Sequence, residues 1–150
     1  MIIKKLEEVY PQCESEGFFI PKNFVDIELI KSKRKQIGED ITFLKENVKE
    51  FEKKKGYPLL FRNYYDVVRG LIETLVLFDK VKISNHQCLN AYFCEKYDKE
   101  EWEFLETIRL KRNSNVYYGG TISEEDWKSN KIRFELIIRR LIEEIDKRLD

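Results

Sequence analysis

Apolar residues along this chain recur at helical intervals. From Asp26 to Lys55 they stand at Ile30, Ile37, Ile41, Leu44, Val48 and Phe51, in steps of 7, 4, 3, 4 and 3. That spacing lays one buried stripe along a helix and leaves lysines and glutamates on the outward face. Gly38 interrupts the run and marks a kink or a close contact. A second helix starts near Pro58, because proline suits a first turn, and runs to about Phe78. Its apolar positions Leu60, Tyr64, Val67, Val68, Leu71, Leu75 and Phe78 make a broad face, which predicts the central helix of the fold. The last helix carries Trp127, Phe134, Ile138, Leu141 and Ile145, in steps of 7, 4, 3 and 4.

Boundary signals fill in the rest. A short amphipathic helix is expected over Ile2 to Tyr10, followed by an irregular connector from Pro11 to about Phe24. A loop from Asp79 to Ile83 leads to a capping box with Ser84 as N-cap and Gln87 at N3. Asp98 and Glu101 form a second box, opening the helix that reaches Arg112. Ser123 and Asp126 open the last helix. No strand-like alternation and no internal repeat occur. These features predict an all-α antiparallel bundle of about five helices in a single domain spanning residues 1–150.

Charge narrows the options. The 28 lysines and arginines balance the 28 aspartates and glutamates, so nucleic-acid binding requires a local patch. Lys, Glu and Ile richness leans weakly toward a thermophilic source. No apolar run approaches the roughly 20 residues that span a bilayer, and acids sit where a signal peptide would be apolar. A cytoplasmic protein without a membrane partner is expected. Three cysteines, Cys13, Cys88 and Cys94, make no even framework and fit no zinc spacing. They are expected to be buried or idle thiols, with no metal and no cofactor.

The candidate chemistry lies in Arg109 to Gly120. On a helix, Arg109, Arg112, Asn113, Val116 and Tyr117 fall within an arc of roughly 140°. One face thus offers two guanidiniums, an amide and a phenol, and Gly119 and Gly120 supply a left-handed stop. Arginine grips phosphate bidentately. The bland alternative is a solvated basic helix end, favoured by the helix dipole. His86, the sole histidine, lies at a helix start among free N–H groups, where a phosphate would favour its protonated form.

Two stretches carry a resemblance. Tyr64-Tyr65-Asp66-Val67-Val68-Arg69-Gly70-Leu71-Ile72-Glu73 and Lys82-Ile83-Ser84-Asn85-His86-Gln87-Cys88-Leu89 resemble the paired central helices of HEPN (higher eukaryotes and prokaryotes nucleotide-binding) domains. Arg112-Asn113, three residues and Tyr117 resemble the Arg-Asn-x-x-x-His motif of HEPN ribonucleases. The resemblance covers a core of about 58–149 and leaves 1–57 as an N-terminal helical extension, read as dimer arm, regulatory cap or extra bundle helices.

The resemblance implies a homodimer whose motif helices face each other across a cleft, RNA or a nucleotide as ligand, and a nucleotidyltransferase antitoxin as partner. Active members cut RNA without metal, through the ribose 2′-hydroxyl. Carried over, Arg112 is the phosphate clamp, Asn113 the orienting amide and Tyr117 the occupant of the catalytic histidine position. Arg109, His86, Arg69 and Tyr118 are supporting phosphate or RNA contacts, and Tyr118 also corresponds to a modifiable tyrosine. Because a general base works best with a pKa near the operating pH, tyrosine in place of histidine predicts weakened or lost ribonuclease activity. The alternative is a non-catalytic helical dimerisation or protein-interaction module.

Overall fold

The computed structural model describes residues 2–150. Helix α1, Leu6–Ser15, buries Leu6, Val9 and Cys13 on one side. It runs straight through Pro11, where the sequence predicts its end. The carbonyl that proline leaves without a donor belongs to Glu7, on the exposed side of the helix with Pro11 itself, so water can satisfy it. Helix α2, Ile27–Lys53, is capped by Asp26, whose Oδ1 accepts from the Leu29 N–H at 3.0 Å. The expected stripe is its inner face: Ile30, Ile41 and Leu44 are buried, while Ile37, Val48 and Phe51 pack at the edge of the core.

Helix α3, Tyr57–Val76, carries Pro58 in its first turn and is the centre of the molecule, packed against α2 and three later helices. Leu60, Phe61, Leu71, Ile72 and Leu75 are all 0–1% exposed, which requires neighbours on more than one side. Gly70 faces α2. A Cβ built there would stand 3.0 Å from Ile37 Cδ1, so glycine is what permits this approach.

After a 3₁₀ turn at Leu77–Asp79, strand β2 (Val81–Lys82) pairs antiparallel with β1 (Ile20–Pro21), Ile20 opposite Lys82 and Pro21 opposite Val81. The sequence predicts no strand. Two residues per strand are too few to display alternation, and both of the β1 residues are exposed.

Helix α4, His86–Lys96, starts one residue later than the box at Ser84 implies. Asn85 is the N-cap, its Oδ1 accepting from Cys88 N–H at 2.9 Å, and Gln87 turns away to Glu106. Asp98 likewise caps a 3₁₀ turn at Lys99–Glu101, so α5 begins at Trp102 and ends at Tyr118. Helix α6, Glu124–Leu149, has the expected box: the Ser123 hydroxyl and Asp126 carboxylate cap each other's backbone N–H groups. Phe134 of α6 meets Phe61 of α3 edge-on at 5.3 Å, and Trp127 meets Tyr64 at 5.0 Å. The fold is therefore an all-α bundle, of six α-helices among the described residues where about five are expected. Residues 1–57, from Ile2 onward, supply two of them, and both are packed into the core.

The cysteines depart most from expectation. Cys13 of α1 and Cys88 of α4 form a disulfide with Cα atoms 5.7 Å apart, and only Cys94 is free, buried in the core. An odd count conceals a pair when its members lie 75 residues apart and meet only through folding. Disulfides are rare in a reducing cytosol, hyperthermophiles excepted, so the bond goes against the idle thiols that the sequence suggests. Among the described residues no helix is long and apolar enough to cross a membrane.

Candidate phosphate-binding site

The predicted site residues gather where α3, α4 and α5 meet, although they do not share one role. Arg109 is committed to the protein. Its Nε and Nη2 both donate to the Glu106 carboxylate at 2.8 Å. Glu106 is 1% exposed and also accepts from Asn90 at 2.9 Å and Gln87 at 3.1 Å, both on α4. Burying a carboxylate is tolerable only with such a full set of donors. This network bolts α4 to α5 and leaves Arg109 little freedom to hold a ligand.

Arg112 is differently placed. Its Nη2 lies 3.6 Å from Asp66 Oδ1, and Nη1 of Arg69, one turn along α3, lies 3.7 Å from the same oxygen. Neither approach is a hydrogen bond. Arg112 Nη1 reaches Asn113 Oδ1 at 3.3 Å, and Arg69 Nε lies 3.4 Å from Glu73. Among the described residues, three buried side-chain polar atoms lack a hydrogen bond: Asp66 Oδ1, Arg69 Nε and Arg112 Nε. All three belong to this one cluster. The other buried side-chain polar atoms of the described residues are satisfied, as native proteins require.

Two rings frame Arg112. Its guanidinium carbon is 5.3 Å from the centre of the Tyr65 ring and 5.9 Å from that of Tyr117. Tyr65 is buried, which pushes its phenol up to about 12 against the pull of Arg69, Arg112 and Arg109. Tyr117 is 66% exposed and Tyr118 84% exposed at the end of α5, beside half-exposed Val116. Gly119, with φ +69°, then stops the helix in the left-handed conformation, and the Gly120 N–H closes back on the Ser114 carbonyl at 2.9 Å.

His86, first residue of α4, also lies near Tyr65, with ring centres 6.5 Å apart. Burial lowers its pKa first, then Arg69, Arg112 and Arg109, while Asp66 pulls the other way. The imidazole is thus held neutral near pH 7 in a strongly cationic setting. An anion placed beside it would work against these effects and favour the cation.

Asp66, Tyr65 and Glu106 complete the cluster, although no sequence motif gives them a role. Asp66 and Tyr65 stand in the stretch that carries the family resemblance, and Asp66 precedes Arg69 by three positions on α3. Glu106 precedes Arg109 by the same interval, the helical ion-pair spacing. Among the described residues no group of three or more His, Cys, Asp or Glu side chains is placed to hold a metal ion. No family model, no curated protein and no solved structure matches the chain.

Proposed function

We propose that this protein binds the phosphate backbone of RNA at the Arg69–Arg112 pair, as a HEPN-like toxin-type component whose own ribonuclease activity is weak or lost. The observation that carries this reading is the loose bridge through Asp66. Two guanidiniums share one carboxylate oxygen at 3.6 and 3.7 Å without a hydrogen bond to it. A phosphodiester oxygen entering between them would make the charge-assisted bonds that Asp66 does not make. A phosphate there would also favour the protonated form of nearby His86.

The ends of two α5 helices, with Val116, Tyr117 and Tyr118 exposed, form the surface through which a homodimer would bring two such sites together. Tyr118 is open to modification by a nucleotidyltransferase partner. Tyr117 supplies a ring beside Arg112 but no good proton acceptor, so binding outlasts cleavage.

The test is incubation of purified protein with labelled RNA, without metal, alongside Arg112→Ala. Binding that the substitution weakens by about tenfold or more, the worth of one charge-assisted hydrogen bond, supports the reading. Equal binding by both proteins, or none by either, refutes it.

A further inference from the structure

Beside the arginine pair runs a groove of about 560 Å³, between the start of α2, the C-terminal half of α3, strand β2 and the opening of α4. Arg69 is common to both places: it lines the groove and also faces Asp66 beside Arg112. His86 lines the groove as well.

The rim is basic. Lys22, after β1, Lys33 of α2 and Lys82 of β2 join Arg69 there, and Glu73 is the one carboxylate. Glu73 lies 3.4 Å from Arg69 Nε, whereas none of the three lysines has an ion-pair partner among the described residues. In a chain of zero net charge, three unpaired lysines around one cleft are a local excess of the kind that collects phosphate. The floor is apolar, made of Leu29, Val76, Leu77 and Ile83. Leu29 is 39% exposed there, although it is a leucine. Cations above an apolar floor suit a ligand that is charged at one end and flat and apolar at the other. The volume lies within the roughly 300–1,000 Å³ usual for ligand pockets.

We infer that this groove holds the nucleotide next to the one gripped by Arg69 and Arg112, with its phosphate among Lys22, Lys33 and Lys82 and its base on the apolar floor. The substrate class that follows is single-stranded RNA. A duplex keeps its bases stacked and paired, and extracting one costs a few kcal/mol. An unpaired strand offers its bases freely to such a track. The inference rests on the phosphate-binding reading given above, and it extends that site from one phosphate to at least two.

Fluorescence anisotropy with a labelled single-stranded RNA hexamer, and with the same sequence as a duplex, tests it across a salt series. The proteins compared are wild type, Arg112→Ala and the triple variant Lys22→Ala/Lys33→Ala/Lys82→Ala, with circular dichroism to verify folding. The expected result is preference for the single strand, and a triple variant that binds about tenfold more weakly with a salt slope lower by about 0.7, the value for the one phosphate no longer neutralised. A triple variant with the wild-type slope, while Arg112→Ala still weakens binding, overturns the groove and leaves the arginine site standing. Duplex bound as tightly as single strand also overturns it. No RNA binding by the wild type removes both.

Discussion

Arg112 of α5 and Asp66 of α3 face each other at 3.6 Å, close enough to attract and too far to hydrogen-bond. Asp66 therefore neutralises part of the cationic cluster without filling it. Removing its charge should help an anion bind. Asp66→Asn is expected to tighten RNA binding about tenfold, slightly above the roughly 1 kcal/mol that one charge about 4 Å away is worth in water, because Asp66 is partly exposed, and anisotropy titration measures it. Arg112→Lys should bind nearly as poorly as Arg112→Ala, because an ammonium cannot reproduce the planar fork.

His86 is the sole histidine, so its ring protons give one unambiguous NMR titration. Its pKa should lie below the usual imidazole value, for burial and three arginines all disfavour the cation. Added RNA or inorganic phosphate should move it upward. Below the unfolded pKa of about 6.5 the unfolded chain binds this proton more readily than the folded one. Stability therefore falls as pH drops through that value. His86→Asn should flatten that part of the urea-stability profile. A pKa unmoved by phosphate would place the anion elsewhere.

Glu106 is the keystone of the joint between α4 and α5. Glu106→Ala strands the Arg109 guanidinium and the amides of Asn90 and Gln87, at an expected cost of about 3–5 kcal/mol in urea denaturation. Lys128→Ala, which breaks an exposed pair with Glu124 at 2.8 Å, should cost under about 1 kcal/mol by the same measurement.

Thiol counting by mass spectrometry tests the covalent staple. The folded protein should resist maleimide altogether, since Cys94 is buried and its thiol is pushed far above the ordinary value by burial and by nearby Asp98, Glu101 and Glu106. Unfolded without reductant it should take one label, and with reductant three. Because the bond closes a separation of 75 residues, its reduction should lower stability by about 4 kcal/mol on the chain-entropy account.

Tyr117 is exposed enough to replace without disturbing the core. Tyr117→His puts an imidazole beside Arg112 and should raise RNA cleavage by about a hundredfold or more over the wild type, the lower range for a positioned general base. Cleavage should vanish again in Tyr117→His/Arg112→Ala. Equal rates for wild type and Tyr117→His would separate this segment from catalysis.

Periodicity by itself determined the long helices. The stripes of α2 and α6 and the broad face of α3 are local repeats, and burial follows them wherever a partner surface exists. Gly119 and Ser123 likewise act on their own neighbours, so the end of α5 and the start of α6 were legible. Shorter signals misled: Pro11 interrupts a helix only if the orphaned carbonyl is buried, and Ser84 and Asn85 are equally good caps until packing chooses between them. The grouping of Arg69, His86 and Arg112 was legible only as separate motifs.

What only the tertiary structure decided is which partners those charges meet. Arg109 and Arg112 look alike along α5, three residues apart and on one face. Glu106 and α4 consume the first, while the second is left against an Asp66 that does not quite reach it. The Cys13–Cys88 bond and the lysine-rimmed groove arise in the same way, from residues far apart in the chain that come together only after the helices pack.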